Sequence, residues 1–302
     1  MSFKSILHTT DFSEKSMVAF IHALKLAVEE RSKLILMYVQ EEDTYKLEWE
    51  NFPKVRDTLY KWGLIEEKAN RKDIYEKLGV EVQKIIGKGE NIIDSVAGIV
   101  QEEKVDLIVI STHGREGWPR WLHTSISESI SRKVLVPTLF IPYNAKPFVD
   151  SNNGQMNLSE ILVPVDHKPD PQRVVEFGLN MGKIYGKGMS QIHIMHVLKK
   201  NDGSAEENLP NVQIPGDEDC IVRIEVNNSS VREEISRVAD EIEADLIVMG
   251  TEGHNGFLDA FFGSTSERVL RLAKCPILTI PIANGDFILR FDENLGSTSQ
   301  AD

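Results

Sequence analysis

Cysteine is nearly absent: Cys220 and Cys275 are the only two in 302 residues, and they lie far apart. That excludes a disulfide framework or a closely spaced cysteine metal knuckle, and a reducing compartment is the expectation. No apolar run reaches the roughly 18 residues that a membrane-spanning helix needs. Residues 1–8 turn polar at Thr9 without forming an apolar signal-peptide core. Positive charge is also in short supply. Lys and Arg number 34 against 47 Asp and Glu, for a formal net charge of -13, which speaks against a nucleic-acid or anionic-membrane surface. A soluble cytoplasmic protein is the expectation. What remains is 41% hydrophobic, enough to bury a substantial core, and the length suits two domains.

The chain repeats itself. The run Val105-Asp106-Leu107-Ile108-Val109-Ile110-Ser111-Thr112 returns as Ala244-Asp245-Leu246-Ile247-Val248-Met249-Gly250-Thr251, 139 residues later. The same offset of 139 relates Gly114 to Gly253, Gly117 to Gly256, Ser125 to Ser264, Glu128 to Glu267, Pro137 to Pro276 and Pro142 to Pro281. Residues 5–11 match residues 160–166 at an offset of 155, and residues 34–39 match 192–197 at 158. The fall from 158 to 139 gives the first copy 19 extra residues between its second and third strands. The expected division is therefore residues 1–145, residues 158–283 and a tail at 284–302, joined by an Asn-, Pro- and Gly-containing linker near 144–157.

Within each copy, short unbroken apolar runs alternate with helical stripes. Residues 34–39, 107–110, 192–197 and 246–249 lack period-two alternation, as strands covered on both faces do. Residues 13–31 place Met17, Phe20, Ile21, Leu24, Ala27 and Val28 on one stripe. Asp170 before Pro171 reads as a helix start and Gly186 as its stop. The fold class is thus α/β: two tandem, doubly wound domains, each with a mostly five-stranded parallel sheet and its ligand crevice at the carboxyl ends of the strands. In the first copy's extra stretch, roughly 45–78, Phe52, Val55, Leu59 and Trp62 predict a helix laid on the sheet or on the second copy, with a partner-binding helix as the alternative. Residues 201–204 read as a loop.

After its fourth strand the second copy carries Gly250-Thr251-Glu252-Gly253-His254-Asn255-Gly256 and, further on, Gly263-Ser264: G-x2-G-x9-G-S. Glycines let a backbone approach phosphate closely and turn its amides inward, and Gly263-Ser264 opens a helix whose N-terminal donors favour an anion. This is neither a Walker A loop nor a Rossmann glycine fingerprint. The motif resembles the ATP-binding signature of the universal stress protein family. Residues 161–166, His196-Val197, Glu267-Arg268-Val269 and residues 275–281 extend the resemblance, which covers roughly 3–142 and 159–282. It implies that Asp166 contacts adenosine and Val197 the base, and that Gly250, Gly253, Gly263, Ser264 and Thr265 hold the phosphates of ATP, ADP or AMP. The other reading of these glycines is a strand-to-helix turn. Between Gly250 and Ser264 there is no Lys or Arg, so either a divalent cation such as Mg2+ accompanies the nucleotide or fewer phosphates are preferred.

In the first copy Ser111 and Thr124 replace two of the glycines, and Trp118 and Trp121 add bulk. Loss of the site there is the expectation, although Asp11 persists and Ser125 remains able to cap its helix. His8, Asp11, His113 and His123 fall at the carboxyl end of that sheet, but no spacing among them is diagnostic, and no metal ligands or catalytic residues are assigned. The resemblance implies a nucleotide-responsive stress regulator whose copies pair through their sheet edges as a pseudo-dimer, with a homodimer of chains and an unknown protein partner as further expectations. A slow nucleotide-hydrolysing enzyme and a scaffold with a vestigial site are the rivals. Residues 287–291 of the tail form a short apolar run suited to docking on a neighbouring surface, and a disordered terminus is the expectation from Glu293 onward.

Overall fold

The computed structural model describes residues 2–40, 49–88, 92–112, 134–142, 144–187, 189–199, 210–214, 220–227, 230–252, 269–270 and 272–282. Among these, the first copy contributes β1 (Ser5–Thr9), α1 (Glu14–Glu30), β2 (Lys33–Gln40), α2 (Val55–Lys61), α3 (Arg71–Leu78), β3 (Glu81–Lys88), α4 (Ile92–Glu102), β4 (Leu107–Thr112) and β5 (Thr138–Pro142). The second contributes β6 (Glu160–Pro164), α5 (Pro171–Tyr185), β7 (Gln191–Lys199), β8 (Cys220–Asn227), α6 (Val231–Glu241), β9 (Leu246–Glu252) and β10 (Ile277–Ile282). The helix signals in the sequence correspond to real caps. Ser13 accepts from the Ser16 amide at the start of α1, Asp170 accepts from the Gln172 amide at the start of α5, and α5 stops at Gly186.

All ten strands form one sheet in the order β3-β2-β1-β4-β5-β10-β9-β6-β7-β8. Neighbouring strands are parallel except β5 and β10, which meet antiparallel at the centre. There Leu139 faces Leu278, its own counterpart at the 139-residue offset, while Thr138 faces Thr279 and Phe140 faces Ile277. That is the self-complementary pattern of a two-fold axis, here within one chain. The repeat extends to register: Ile6 pairs with Leu107 as Ile161 pairs with Leu246, and Thr9 pairs with Met37 as Pro164 pairs with Met195. The antiparallel junction points the carboxyl ends of the two five-stranded halves in opposite directions.

Side chains from alternate strand positions fill two layers, as both faces of a covered sheet require. Ile6, Leu34, Leu107 and Ile161 pack with α1 and α5 on one face, whereas Leu7, Ile35, Ile108 and Leu162 pack with α4 and α6 on the other. The first layer runs unbroken from one copy to the other. Phe3 lies 6.4 Å from Phe177, and the Tyr185 hydroxyl donates to the Glu30 carboxylate across the join.

One expectation needs correction. The stretch near 45–78 is not one helix. A 3-10 turn at Trp49–Asn51 precedes α2 and α3, with Pro53, Gly63 and Gly79 as punctuation. Its stripe of Phe52, Val55, Leu59 and Trp62 is nonetheless buried in the first layer. The segment expected as the linker between copies is packed against the first. Phe148 and Val149 are each 1% exposed, Val149 bridges Met156, and the turn they flank is clasped by Trp62. The indole Nε1 donates to the Ser151 carbonyl at 3.2 Å, and Lys61 Nζ donates to Asn152 Oδ1 at 2.9 Å. The residues 201–204 and the tail at 284–302 lie outside the described residues.

Candidate functional site

In the second half, β6 continues to a helix and a strand on one side while β9 continues to β10 on the other, so the strand order reverses between β6 and β9. The carboxyl ends of two such strands diverge into a crevice, the usual ligand site of open α/β sheets. β6 and β9 are parallel neighbours. Asp166, two residues past β6, and Gly250, near the end of β9, therefore stand at the same end of the sheet. The loop that carries Asp166 also reaches Gly250 through Pro169. A Cβ added to Gly250 would lie 2.8 Å from Pro169 Cγ and 2.6 Å from Val174 Cγ2. This crowding gives glycine at 250 a packing reason apart from any ligand, because the loop after β6 and the start of α5 rest on it. Val197 lies near the end of β7, the next strand over, half-buried against the second layer.

The Asp166 carboxylate is exposed, and its Oδ1 accepts from the His167 amide at 2.8 Å. The loop holding it is tied to β7 by the Val165 amide donating to the Met195 carbonyl at 2.8 Å. The same bond occurs in the first copy, from Thr10 to Met37 at 2.8 Å. Gly253, Gly263, Ser264 and Thr265 lie outside the described residues, although the chain leaves β9 toward them from the crevice end. His113, Trp118, Trp121, His123, Thr124 and Ser125 of the first copy also lie outside them.

The first copy's crevice is built differently. Asp11 is drawn into the helix cap, its Oδ1 accepting from the Ser13 amide at 3.0 Å and the Ser13 hydroxyl at 2.6 Å. Phe12 stacks on Tyr38 with centroids 4.6 Å apart, and Phe52 meets Phe12 edge-on at 5.4 Å. Trp49 stacks on Phe52 at 5.8 Å, and the Lys84 ammonium sits 5.4 Å above the Phe52 ring. Phe52 and Trp49 come from the extra residues that only this copy carries. Aromatic rings thus pack on the loop that carries Asp11, a feature that the glycine replacements did not reveal.

His8 does not fit a metal role. It is fully buried, with Nδ1 3.0 Å from the Val109 carbonyl oxygen and Nε2 3.3 Å from the Ser16 hydroxyl. Burial pushes its pKa down to about 4, so at neutral pH it is an uncharged core residue with both nitrogens engaged. Sequence reasoning missed a different group. Asp166, His167 and His196 each offer one ligand atom, and these atoms lie within 4.8 Å of one another. The signal was present once both offsets were applied: His167 and His196 occupy the positions of Phe12 and Tyr38.

No helix among the described residues is long and apolar enough to cross a membrane. A family model for the universal stress protein family matches residues 2–142 and 214–281. The chain is 23% identical to a universal stress protein E homolog of Haemophilus influenzae, across 95% of this chain and 100% of that protein. A universal stress protein of Methanocaldococcus jannaschii is 27% identical across 42% of this chain and 85% of its own length. Among solved structures, a universal stress protein from Archaeoglobus fulgidus superposes with a TM-score of 0.58 at 21% identity, covering 92% of this chain and 98% of that one. With well over half of its residues matched by the family model, the chain belongs to the universal stress protein family.

Proposed function

We propose that the second copy binds an adenine nucleotide at the β6/β9 crevice and that the protein acts as a nucleotide-responsive regulatory module. One observation carries this reading: the exposed Asp166 carboxylate and the start of the G-x2-G-x9-G-S segment share one end of the sheet, at the point where strand order reverses. A carboxylate is a natural partner for ribose hydroxyls, Val197 offers an apolar edge for the base, and the backbone amides of residues 250–265 are the phosphate donors. The acidic chain gives no long-range attraction to phosphate, so these local donors, with Mg2+ on a triphosphate, carry the affinity. The first copy is the non-binding partner in this reading, which the packing of Phe12, Tyr38 and Phe52 beside its Asp11 loop supports. Asp166 is accompanied by the imidazoles of His167 and His196, and the proposal is a binding role rather than turnover.

The test is calorimetric titration of ATP, ADP and AMP with and without Mg2+, on the full chain and on Asp166→Ala, together with mass spectrometry of any nucleotide that co-purifies. The expected result is one nucleotide per chain, at least tenfold weaker in the variant. Absence of binding at millimolar nucleotide, or equal affinity in Asp166→Ala, overturns the reading.

A further inference from the structure

Positions 11, 12 and 38 of the first copy correspond to 166, 167 and 196 of the second, because the β1/β2 and β6/β7 registers are the same. The aspartate is common to both. The two rings differ: Phe12 and Tyr38 lie nearly parallel, at 21° and 4.6 Å, whereas His167 and His196 stand edge to face, at 72° and 5.8 Å. If these positions only packed rings, carbon rings would serve, as they do in the first copy. In the second copy both rings carry nitrogens, and these converge with the Asp166 carboxylate to within 4.8 Å.

The His196 ring is oriented by the backbone. Its Nδ1 lies 2.9 Å from the Val165 carbonyl oxygen. A carbonyl only accepts, so Nδ1 carries the hydrogen and Nε2 presents its lone pair, the arrangement that orients histidine ligands in metal sites. Asp166 is likewise oriented through Oδ1 by the His167 amide. His196 is buried and fixed on β7, while Asp166 and His167 are exposed on the loop after β6. Side-chain rotation of the exposed pair draws the ligand atoms, now within 4.8 Å of one another, to the roughly 3.3 Å separation that bonds of ~2.0–2.1 Å to a tetrahedral ion require.

We propose that Asp166, His167 and His196 form a binding site for one divalent transition-metal ion of the zinc, cobalt and nickel class, with its remaining coordination positions open to the crevice. Two imidazoles and one carboxylate select these ions over magnesium, a hard cation that takes oxygen ligands. The site is therefore distinct from any magnesium accompanying a nucleotide's phosphates, and it does not require that a nucleotide bind at all.

The test is titration of untagged, chelator-stripped full-length protein with Co2+, followed by visible absorption, and with Zn2+, followed by calorimetry. The metal alone is the probe, so the nucleotide reading stands or falls separately. The wild type is expected to bind one equivalent and to develop the d–d bands of a low-coordinate cobalt site. His167→Ala and Asp166→Asn, both at exposed positions, are expected to bind at least tenfold more weakly and to lose those bands. His196→Gln, checked for folding by circular dichroism, should behave alike. Absence of binding at millimolar metal, or wild-type affinity in both His167→Ala and Asp166→Asn, overturns the proposal.

Discussion

Several residues that the repeat brings to notice are structural, and their chemistry says what they do. Asp106 Oδ2 accepts from the Lys4 and Ser5 amides at 2.8 and 3.0 Å, and Asp245 Oδ2 accepts from the Ser159 and Glu160 amides at 2.8 and 3.2 Å. Each carboxylate pins the first strand of its copy to the fourth. Asp245 is 3% exposed and also pairs with Lys146 at 3.1 Å. Asp245→Ala orphans two backbone donors and is expected to lower stability by about 1.5–3 kcal/mol in urea unfolding, while Lys146→Ala costs little because the lysine is largely in solvent. The core histidines set an acid response. Burial lowers both His8 and His22 from 6.5 to about 4. Between those values the unfolded chain binds protons that the folded chain does not, so stability is complete above pH 6.5 and declines as pH falls toward 4. The loss is on the order of 3 kcal/mol per histidine. His22→Leu, which also removes a buried Nε2 without a hydrogen-bond partner, should flatten that slope in unfolding measured from pH 7 to pH 4. An unchanged slope would contradict this assignment.

At the scale of elements, the sequence conveyed the strands and long helices well and the connecting pieces poorly. Unbroken apolar runs and the Ser13 and Asp170 caps are local signals, and the structure respects them. The packing of the turn at 150–154 could not be read from the sequence, because Asn, Ser and Gly suit a free linker and a tightly packed turn equally; only the burial of Phe148 and Val149 separates the two. The histidine pair went unnoticed for a different reason. It sits across two strands that carry different offsets, 155 and 158, so no single alignment of the repeat sets His167 and His196 beside Phe12 and Tyr38. The packing at Gly154 is directly testable. Its φ is +68°, and an added Cβ would fall 2.6 Å from Trp62 Cδ2. Gly154→Ala is expected to cost about 1–3 kcal/mol and to change the fluorescence of Trp62 by moving its ring. A variant as stable as wild type, with unaltered emission, would contradict the clasp.

For the whole molecule, the continuous sheet and the shared first layer make the two copies one body rather than beads on a string. Thr138, Leu139 and Phe140 meet Thr279, Leu278 and Ile277 at its centre, and Glu30 and Tyr185 join the helices above. A single cooperative unfolding transition is therefore expected, with Tyr185→Phe lowering its midpoint; two separated transitions would contradict the shared core. At the equivalent loops of its two halves this body carries Asp11 next to packed aromatic rings and Asp166 next to imidazoles. The functional account rests on that asymmetry. Its most direct test is photo-crosslinking with 8-azido-ATP followed by peptide mapping: label confined to peptides containing residues 165–199 or 246–265 is the predicted result, and label on residues 8–40, or spread evenly over both copies, would contradict it.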